Sequence, residues 1–437
     1  MKYVYIPTEI KVRDFRSRLL IALKCADYGM TVIFGINNYI KKIIPNSPPG
    51  IYLDKSVSIN KLSFLTTLKK KKNKIFCLDE ESTTFFDNFE IYKNQRLNNK
   101  NIKILDKFFC LGKKEYSYNR NFFKKYKKKF FLTGNPRFEI DEHADKIFLD
   151  EIKNIKKKFK NYFLVSRSFR YPYKKNGFND LIDRAKKLRI INNKSDLKNY
   201  TKTRELRKEL SHNQDRLVKY LARKYLNTKF IVRPHPTEDV KKIKNTFKDY
   251  KNVLVILKYE IAPWIVGAKN FIHSGCSTAY TALLNDMIPI SFLKKEVLKQ
   301  YGYIPYNLIS RVQIDKKLIE KEIKKRKLTK NLSKKKEILS KYIEIYKNFS
   351  PHEKIANEIF KSSFNSENTL INKNKIFENY YSLKKIFTKH FPKDNKGKYI
   401  FKRELMNNIK IFKKIFKISG NYKISCIENS VYEIKLK

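Results

Sequence analysis

The sequence has few acidic residues for its length. Its 437 residues include 42 Asp and Glu against 98 Lys and Arg, a formal net charge of +56. Such a balance attracts polyanions, whether nucleic acid, an anionic membrane face or acidic glycans. The basic residues are scattered along the chain rather than gathered in one arm. We therefore favour globular domains with a basic surface over a dedicated nucleic-acid-binding protein, and the charge alone leaves both open.

Cysteines and long apolar runs are also scarce. The five cysteines are widely spaced and include no CxxC pair, which argues against a disulfide framework or a zinc site and predicts reduced thiols. About the first twenty residues contain several charged side chains. This stretch therefore lacks the apolar core of a signal peptide. No uncharged apolar run reaches the roughly 18 residues of a membrane-spanning helix. We expect a cytoplasmic protein, located in the cytosol or peripherally at the inner face of the cytoplasmic membrane.

Glycine is rare as well, with 11 residues, and no GxGxxG fingerprint of a dinucleotide site is present. Short apolar runs nevertheless alternate with helical patterns, beginning with a strand at Tyr3–Ile6, an amphipathic helix and a strand at Thr31–Gly35. This β-α-β order is typical of Rossmann-like domains, and the length favours two of them. We predict an α/β fold class with domains at 1–150 and 151–365.

Two further segments complete the predicted organisation. Residues from Tyr171 to about Asn213 are polar with weak periodicity and predict a long insertion in the second domain. Residues 366–437 predict a basic helical C-terminal appendix. A basic, aromatic segment of this kind could contact an anionic membrane or nucleic acid, but a packed helical hairpin with a lysine-rich outer face is favoured.

The stretch Phe230–Pro236 predicts a site in the second domain. Its apolar, β-branched start is typical of a buried parallel strand, and the prolines that follow end the ladder. Arg233 and His235 therefore lie at the carboxyl end of a strand, the edge at which open α/β sheets bind ligands.

A second stretch, Asn270–Leu284, predicts a partner for the first. It combines a short strand, a turn rich in Gly, Ser and Thr, and the start of a helix. Hydroxyls and unpaired backbone N–H groups at such a position can hold an anion. Together with Arg233 and His235, this turn predicts a phosphate-binding pocket. His273, at the end of the strand, would be a second phosphate contact or, as we favour, a structural residue.

Acidic residues cluster at one strand end of the first domain. Asp79-Glu80-Glu81 follows the predicted strand Lys74–Leu78. Neighbouring carboxyl groups raise one another's pKa, and a carboxyl with a raised pKa suits general-base catalysis. The alternative, favoured by the local sequence alone, is a solvated acidic turn that caps the next helix. Downstream, Gly134-Asn135-Pro136 predicts a sharp turn that either presents Arg137 to an anion or is only a tight loop.

These motifs carry a family resemblance. Arg233-Pro234-His235-Pro236, followed by the turn Ser274–Thr278, resembles the HP and S/T motifs of GT-B glycosyltransferases that use CMP-activated sugars. That group includes bacterial sialyltransferases, polysialyltransferases and the Kdo transferases of capsule assembly. Its D/E-D/E-G motif, the source of the catalytic base, is matched in order by Glu80-Glu81-Ser82, with serine in place of glycine.

The chain resembles surface carbohydrate biosynthesis proteins more closely, over roughly residues 1–310. The further motifs that carry this likeness are Ile6-Pro7-Thr8-Glu9, Arg13-Asp14, Asp79-Glu80-Glu81, Thr133-Gly134-Asn135-Pro136-Arg137 and His273-Ser274-Gly275-Cys276-Ser277-Thr278. The resemblance implies a GT-B-like fold, in which two Rossmann-like domains face a cleft. It implies a first domain that supplies the carboxylate and binds the acceptor, and a second that binds the nucleotide sugar.

The resemblance also implies residue roles. Glu80, with Asp79 as the rival, would be the catalytic base, and His235 would hydrogen-bond the donor phosphate during catalysis. The residues implied to bind the donor are Arg233, His235, Ser274, Ser277, Thr278 and Arg137. Arg233 would add charge or shape the loop. No metal and no cofactor are expected, since fixed dipoles and an imidazolium can stabilise the leaving nucleotide.

The leading hypothesis is a metal-independent glycosyltransferase of capsule or lipopolysaccharide synthesis, with Kdo or another ulosonic acid among the candidate sugars. Its partners would be a nucleotide-sugar donor and a glycan or lipid-linked glycan acceptor, with peripheral contact with an anionic membrane and no specific nucleic acid. One alternative is a sugar-nucleotide 2-epimerase or a glycerophosphotransferase-like enzyme. The other is a non-catalytic protein that binds polyanions or membranes.

Overall fold

The computed structural model divides the chain into two compact units. It describes residues 3–79, 82, 96–169, 177–187, 191–236, 238–293, 305–324, 331–344, 350–363, 399–428 and 430–437. Among these, the first unit takes the residues up to Ser82, those from 96 to Ile140 and those from Ile343 to Lys437, and the second takes Asp141–Tyr342. Within the described ranges, no helix is both long enough and apolar enough to cross a bilayer.

The first unit is built on an eight-stranded sheet. Its parallel strands are β1 (Tyr3–Thr8), β2 (Thr31–Ile36), β3 (Ile51–Asp54), β4 (Lys74–Leu78), β5 (Lys107–Cys110) and β6 (Phe130–Leu132). They lie in the order β2-β1-β3-β4-β5-β6. The order therefore reverses between β1 and β3, which makes this a doubly wound sheet with its switch point there. Most side chains of these strands are buried, as expected for a parallel sheet covered on both faces.

The helices of this part of the chain follow the strands. They are α1 (Lys11–Asp27), α2 (Asn37–Ile43), α3 (Leu62–Lys70), α4 (Asn101–Ile104), α5 (Lys113–Phe122) and α6 (Pro136–Glu142), with a 3₁₀ segment at Lys124–Lys129. The apolar face predicted for α1 is buried in the core, as Phe15 and Leu19 show. Asp14 fixes the start of α1, because its carboxylate accepts hydrogen bonds from the backbone N–H groups of Glu9 and Ile10.

The second unit carries a six-stranded parallel sheet. Its strands are β7 (Tyr162–Ser166), β8 (Lys229–Arg233), β9 (Val253–Val255), β10 (Asn270–His273), β11 (Ile290–Phe292) and β12 (Arg311–Gln313). They lie in the order β12-β11-β10-β7-β8-β9. The first strand of the unit, β7, is therefore paired with the fourth, β10, in the arrangement of a dinucleotide-type doubly wound sheet. The switch point lies between β7 and β10.

The helices described between Ala144 and Ser340 belong to the second unit. They are α7 (Ala144–Ile147), α8 (Leu149–Phe159), α9 (Gly177–Lys187), α10 (Lys194–Lys224), α11 (Val240–Thr246), α12 (Ile261–Gly267), α13 (Thr278–Leu284), α14 (Pro305–Leu308), α15 (Lys316–Lys324) and α16 (Leu332–Ser340). The predicted insertion from Tyr171 to about Asn213 contains α9 and the first part of α10, a helix of 31 residues. Its buried residues lie from Leu210 onward, which explains why the first half shows weak periodicity.

The end of the chain belongs to the first unit. It contributes α17 (Pro351–Lys361), α18 (Lys402–Ile415), β13 (Tyr422–Glu428) and β14 (Val431–Leu436). β14 pairs antiparallel with β2, and β13 forms the outer strand of the sheet. At Gly35 a Cβ would lie 2.3 Å from the carbonyl oxygen of Ser430, so the hairpin approaches β2 at a residue that has no side chain.

The α/β class with two Rossmann-like doubly wound units is confirmed, but the boundaries differ from those predicted. The chain passes to the second unit at Asp141 rather than 151 and returns at Ile343 rather than ending that unit at 365. The described part of the predicted appendix is not a separate extension, because its helix and hairpin complete the first unit. Residues 364–398 lie outside the described residues. The predicted arrangement of the two units about a cleft stays a prediction.

Candidate functional site

Arg233, at the end of β8, is used inside the protein. Its guanidinium donates hydrogen bonds to the backbone carbonyls of Ile256, Lys258 and Tyr259, at 3.3, 2.5 and 2.9 Å, and lies 5.6 Å from the ring centre of Trp264. The side chain is 6% exposed, and burial lowers its pKa to about 10. Of the two roles predicted for Arg233, these contacts favour shaping the loop over contributing charge to a ligand.

His235 is half-buried and stands on a loop with a buried acidic support. The backbone N–H of His235 donates to Oε2 of Glu238 at 2.7 Å. Glu238 is 4% exposed, and burial raises the pKa of its carboxyl. Its other oxygen lies 3.5 Å from Nε of Arg167, which lowers that pKa in part. The backbone at His235 is therefore held by Glu238, which in turn lies beside Arg167 from the end of a different strand.

Arg167 is the centre of this support. It is 2% exposed, and it donates to the carboxylate of Asp215 and, at 2.6 Å, to the hydroxyl of Ser211 on α10. The two carboxylates and the hydroxyl around this buried guanidinium offset much of the free-energy cost of removing it from water. Arg167 thus ties α10 and the His235 loop to the end of β7.

His273 organises the turn after β10. Its Nδ1 accepts hydrogen bonds from the backbone N–H groups of Gly275 and Cys276, both at 3.1 Å, and its Nε2 lies 2.9 Å from the hydroxyl of Ser310. The ring is fully buried, and burial lowers its pKa to about 3. The ring is therefore neutral, with its proton on Nε2 donated to Ser310. These contacts favour the structural role for His273.

The hydroxyl groups of the Ser/Thr turn meet those of the loop after β7. Oγ1 of Thr278 lies 3.5 Å from Oγ of Ser166, and Oγ of Ser168 donates to the carbonyl of Gly275 at 3.1 Å. Ser274 is buried and accepts a hydrogen bond from Gln214 at 3.2 Å. These contacts lie at the carboxyl ends of β7 and β10, where the switch point of the sheet is located.

Ser277 and Thr278 are the accessible members of the turn. Both are half-buried, and the Ser277 side chain makes no capping hydrogen bond to α13 among the described residues. Gly275 has φ of +81°, which lets the chain double back before these residues. The predicted donor residues Ser274, Ser277, Thr278 and His235 thus lie at ends of strands of one sheet, with Ser274 directed inward.

Of the acidic cluster Asp79-Glu80-Glu81, the structure describes Asp79. Asp79, just after β4, is 1% exposed, and its two oxygens accept hydrogen bonds from Nε and Nη2 of Arg96 at 2.8 and 2.5 Å. Both oxygens of this carboxylate are therefore occupied by the guanidinium of Arg96. Glu80, the preferred catalytic base, and Glu81 lie outside the described residues.

Arg137 belongs to the first unit, in the first turn of α6. Its backbone N–H donates to the Asn135 side chain at 2.8 Å, and its guanidinium lies 5.9 Å from the ring centre of Phe138. The side chain is half-buried. The turn before it is therefore the sharp one predicted, whereas the predicted contact of Arg137 with a donor stays a prediction.

Sequence reasoning missed two charged sets. One is Ser166-Arg167-Ser168, at the carboxyl end of β7. The sequence pattern that could have revealed it is a basic residue between two serines at the end of an apolar strand. The other lies at the switch point of the first sheet, where Lys55 pairs with Glu9 at 3.0 Å and Lys61 pairs with Asp54 at 2.6 Å. Both sets follow buried strands, so the strand-end rule used for Arg233 and Asp79 would have found them.

Comparisons with known proteins give fold neighbours alone. No protein-family model and no curated protein matches the chain. Among solved structures, the S. aureus MnaA-UDP co-structure is 11% identical over 82% of this chain and 96% of its own, with a TM-score of 0.49. UDP-GlcNAc 2-epimerase from Methanocaldococcus jannaschii is 11% identical over 83% of this chain and 100% of its own, with a TM-score of 0.49.

A third neighbour is the wall teichoic acid polymerase TagF in its H548A form. It is 11% identical over 82% of this chain and 88% of its own, with a TM-score of 0.45. Likeness at this level carries no argument about what this chain binds or does.

Proposed function

We propose that the protein is a nucleotide-sugar-dependent glycosyltransferase of surface carbohydrate synthesis, working without a metal. The donor nucleotide would occupy the switch point of the second sheet, between β7 and β10. The acceptor would use the carboxyl edge of the first sheet, whose ion pairs at Glu9 and Lys55 suit a polar, hydroxyl-rich ligand. The motifs that resemble surface carbohydrate biosynthesis proteins support the same assignment.

The meeting of the Ser166–Ser168 loop with the Ser274–Thr278 turn carries this proposal. Doubly wound sheets bind their ligands outside the strand ends at the switch point, and here the loops at that point carry hydroxyl and backbone groups. Ser277 and Thr278 are accessible there, and His235 follows the neighbouring strand. Hydroxyls, amides and an imidazole are the groups that hold a phosphate without a metal.

The chemistry follows from the charge that develops in transfer. As the glycosidic bond to the donor breaks, negative charge moves onto the leaving phosphate. Fixed donors and the His235 imidazole would interact more strongly with the phosphate in the transition state than in the ground state. This difference would lower the barrier to transfer. Because Asp79 is bound to Arg96, we assign it to positioning its loop, and Glu80 remains the proposed base that takes the acceptor proton.

Thermal unfolding with CMP, UDP, GDP and CDP tests the nucleotide site. One nucleotide should raise the melting temperature of the parent protein and not that of His235→Ala. His212→Ala is the matched control, because His212 is an exposed histidine of α10 and its loss should leave the shift unchanged. No shift with any nucleotide, or an equal shift in His235→Ala, would count against the proposed site.

Product analysis then separates glycosyl transfer from its rivals. When the protein is incubated with the stabilising nucleotide sugar and an extract of lipid-linked glycans, we expect a new glycoside and free nucleotide. A C2 epimer formed without acceptor would identify a 2-epimerase instead. Transfer of a glycerol phosphate group would identify a glycerophosphotransferase, and either result would replace the proposal.

A further inference from the structure

A surface of the first unit combines exposed aromatic rings with lysines. Tyr118 and Phe122, one turn apart on α5, are 36% and 42% exposed. Their ring centres are 6.4 Å apart and their planes differ by 19°, so they form one stacked apolar pair. The exposed part of these rings would gain free energy if it were removed from water. Adjacent exposed rings with polar surroundings are a feature of surfaces that bind a partner.

The chain segment that carries this pair is rich in lysine. We define the α5 patch as this aromatic pair together with the exposed lysines Lys114, Lys124, Lys125, Lys127 and Lys128. The single acid between residues 113 and 129 is Glu115, which is 1% exposed and accepts a hydrogen bond from the Leu111 N–H at 2.7 Å. The patch therefore carries five exposed lysines, and its own segment contains no exposed acid.

The remaining residues of the segment hold it in place. Phe123 is 3% exposed, and its ring stacks on Phe130 of β6 at 5.9 Å. Lys129 points inward and donates to the carbonyls of Ile102, Lys103 and Leu105, at 3.0, 3.2 and 2.5 Å. Phe123 and Lys129 thus anchor the segment to the rest of the first unit, whereas the patch lysines are exposed.

We propose that the α5 patch docks on the surface of an anionic phospholipid bilayer. Each lysine near such a surface gains electrostatic free energy, and aromatic rings enter the interfacial region. The arrangement suits lipid better than single-stranded nucleic acid. The rings of Tyr118, Phe122 and Phe123 lie against one another, with centres 6.4 and 4.8 Å apart, rather than standing apart as separate platforms for successive bases.

The identity of the cations supports the same partner. The exposed cations are lysines, which act as point charges on a diffuse anionic surface, whereas arginine supplies the planar fork used on individual phosphates. Arg120, the one arginine of the segment, donates to the Tyr116 hydroxyl and lies 4.9 Å from that ring's centre. This docking surface is separate from the nucleotide site. Membrane binding by the patch can therefore be confirmed or contradicted independently of the proposed function.

Vesicle sedimentation of the full chain tests the proposal. The protein should sediment with vesicles of phosphatidylcholine and phosphatidylglycerol in equal amounts and stay in solution with pure phosphatidylcholine. Lys124→Gln/Lys125→Gln/Lys127→Gln/Lys128→Gln should lower the affinity for anionic vesicles at least about tenfold, since each lysine contributes to the attraction. Tyr118→Ser/Phe122→Ser should lower it several-fold at unchanged charge.

A charge-matched control separates the patch from the overall charge of +56. Lys153→Gln/Lys156→Gln/Lys157→Gln/Lys158→Gln removes four exposed lysines from α8, where Phe159 is buried and no exposed ring accompanies them. This control should bind vesicles almost as the parent does. Circular dichroism of each variant checks its folding.

Two results would overturn the proposal. Equal losses in the two lysine variants would assign binding to net charge rather than to the patch. Unchanged vesicle binding in both patch variants, with weakened binding of a single-stranded RNA oligomer, would assign the patch to nucleic acid.

Discussion

At the scale of single residues, the candidate site depends on buried charges that no ligand needs to touch. Arg167 supports Glu238, and Glu238 holds the backbone of His235. Arg233, which the sequence placed at the ligand edge, instead satisfies three backbone carbonyls. A residue's position after a strand therefore indicates where it lies, whereas its contacts decide whether it is left for a ligand.

Arg167→Ala tests this support. It leaves Asp215 and Glu238 buried without their cation, so the free energy of unfolding should fall by roughly 3–5 kcal/mol. Urea unfolding followed by circular dichroism measures the loss. Arg223→Ala is the control, because Arg223 is exposed and makes one hydrogen bond to Tyr250 at 2.7 Å, and its loss should cost about 1 kcal/mol or less. Equal small losses in both variants would contradict the supporting role.

His273 gives a pH dependence of known sign. Burial lowers its pKa from 6.5 to about 3, so the unfolded chain binds a proton more readily than the folded one. Its contribution to stability is fully present above pH 6.5 and is lost as the pH falls towards 3. The full effect is up to roughly 5 kcal/mol.

The measurement is the melting temperature of the parent and of His273→Asn from pH 7 down to pH 4. Asparagine keeps an acceptor for the N–H groups of the turn but does not titrate in this range. The variant should be less stable at pH 7, and its stability should fall less on acidification. Parallel curves for the two proteins would show that His273 is not the titrating group.

At the scale of elements, the C-terminal hairpin extends the first sheet. Ile434 of β14 pairs with Val32 of β2, and Ile434 is fully buried. The sequence suggested an appendix because the lysine content hides the alternation of these strands. Their partner strand lies about four hundred residues earlier in the chain, and no local pattern specifies such a pairing.

Gly35→Ala tests the hairpin contact. A Cβ at this position would lie 2.3 Å from the Ser430 carbonyl oxygen and 2.7 Å from Cα of Val431, so β14 must shift. We expect a loss of roughly 1–3 kcal/mol in the free energy of unfolding, measured by urea denaturation. In a chain truncated after Gly420, which lacks β13 and β14, the same substitution should cost little. An equal cost in both backgrounds would place the strain elsewhere.

At the scale of the whole molecule, two separately wound sheets divide the proposed work. The nucleotide should bind to loops of the second unit, and the first unit should carry the acceptor and membrane surfaces. Two compact units with separate cores can respond to a ligand separately.

Hydrogen exchange with the stabilising nucleotide tests this division. Protection should concentrate in peptides that cover Ser166–Ser168, His235–Glu238 and His273–Thr278, because their backbone groups are ordered by the phosphate. Peptides from β1 to β6 should exchange as in the free protein. Protection confined to the first unit would contradict the assignment of the donor to the second sheet.

The sequence by itself determined the local features. Apolar runs specified the buried strands, the spacing of Phe15 and Leu19 specified α1, and the residues after β8 and β10 marked Arg233, His235 and the Ser/Thr turn as strand-end residues. These inferences succeed because burial and backbone hydrogen bonding act on neighbouring residues with fixed periods. The α/β class follows from the order of such segments.

Only the tertiary structure decided which strand ends meet. β7 and β10 are separated by more than a hundred residues, and their pairing brings Ser166 and Ser168 to the turn that His273 holds. It also decided that Arg233 is enclosed and that the hairpin completes the first sheet. These outcomes depend on strand order and burial, which arise from the packing of the whole chain and which no short stretch of sequence encodes.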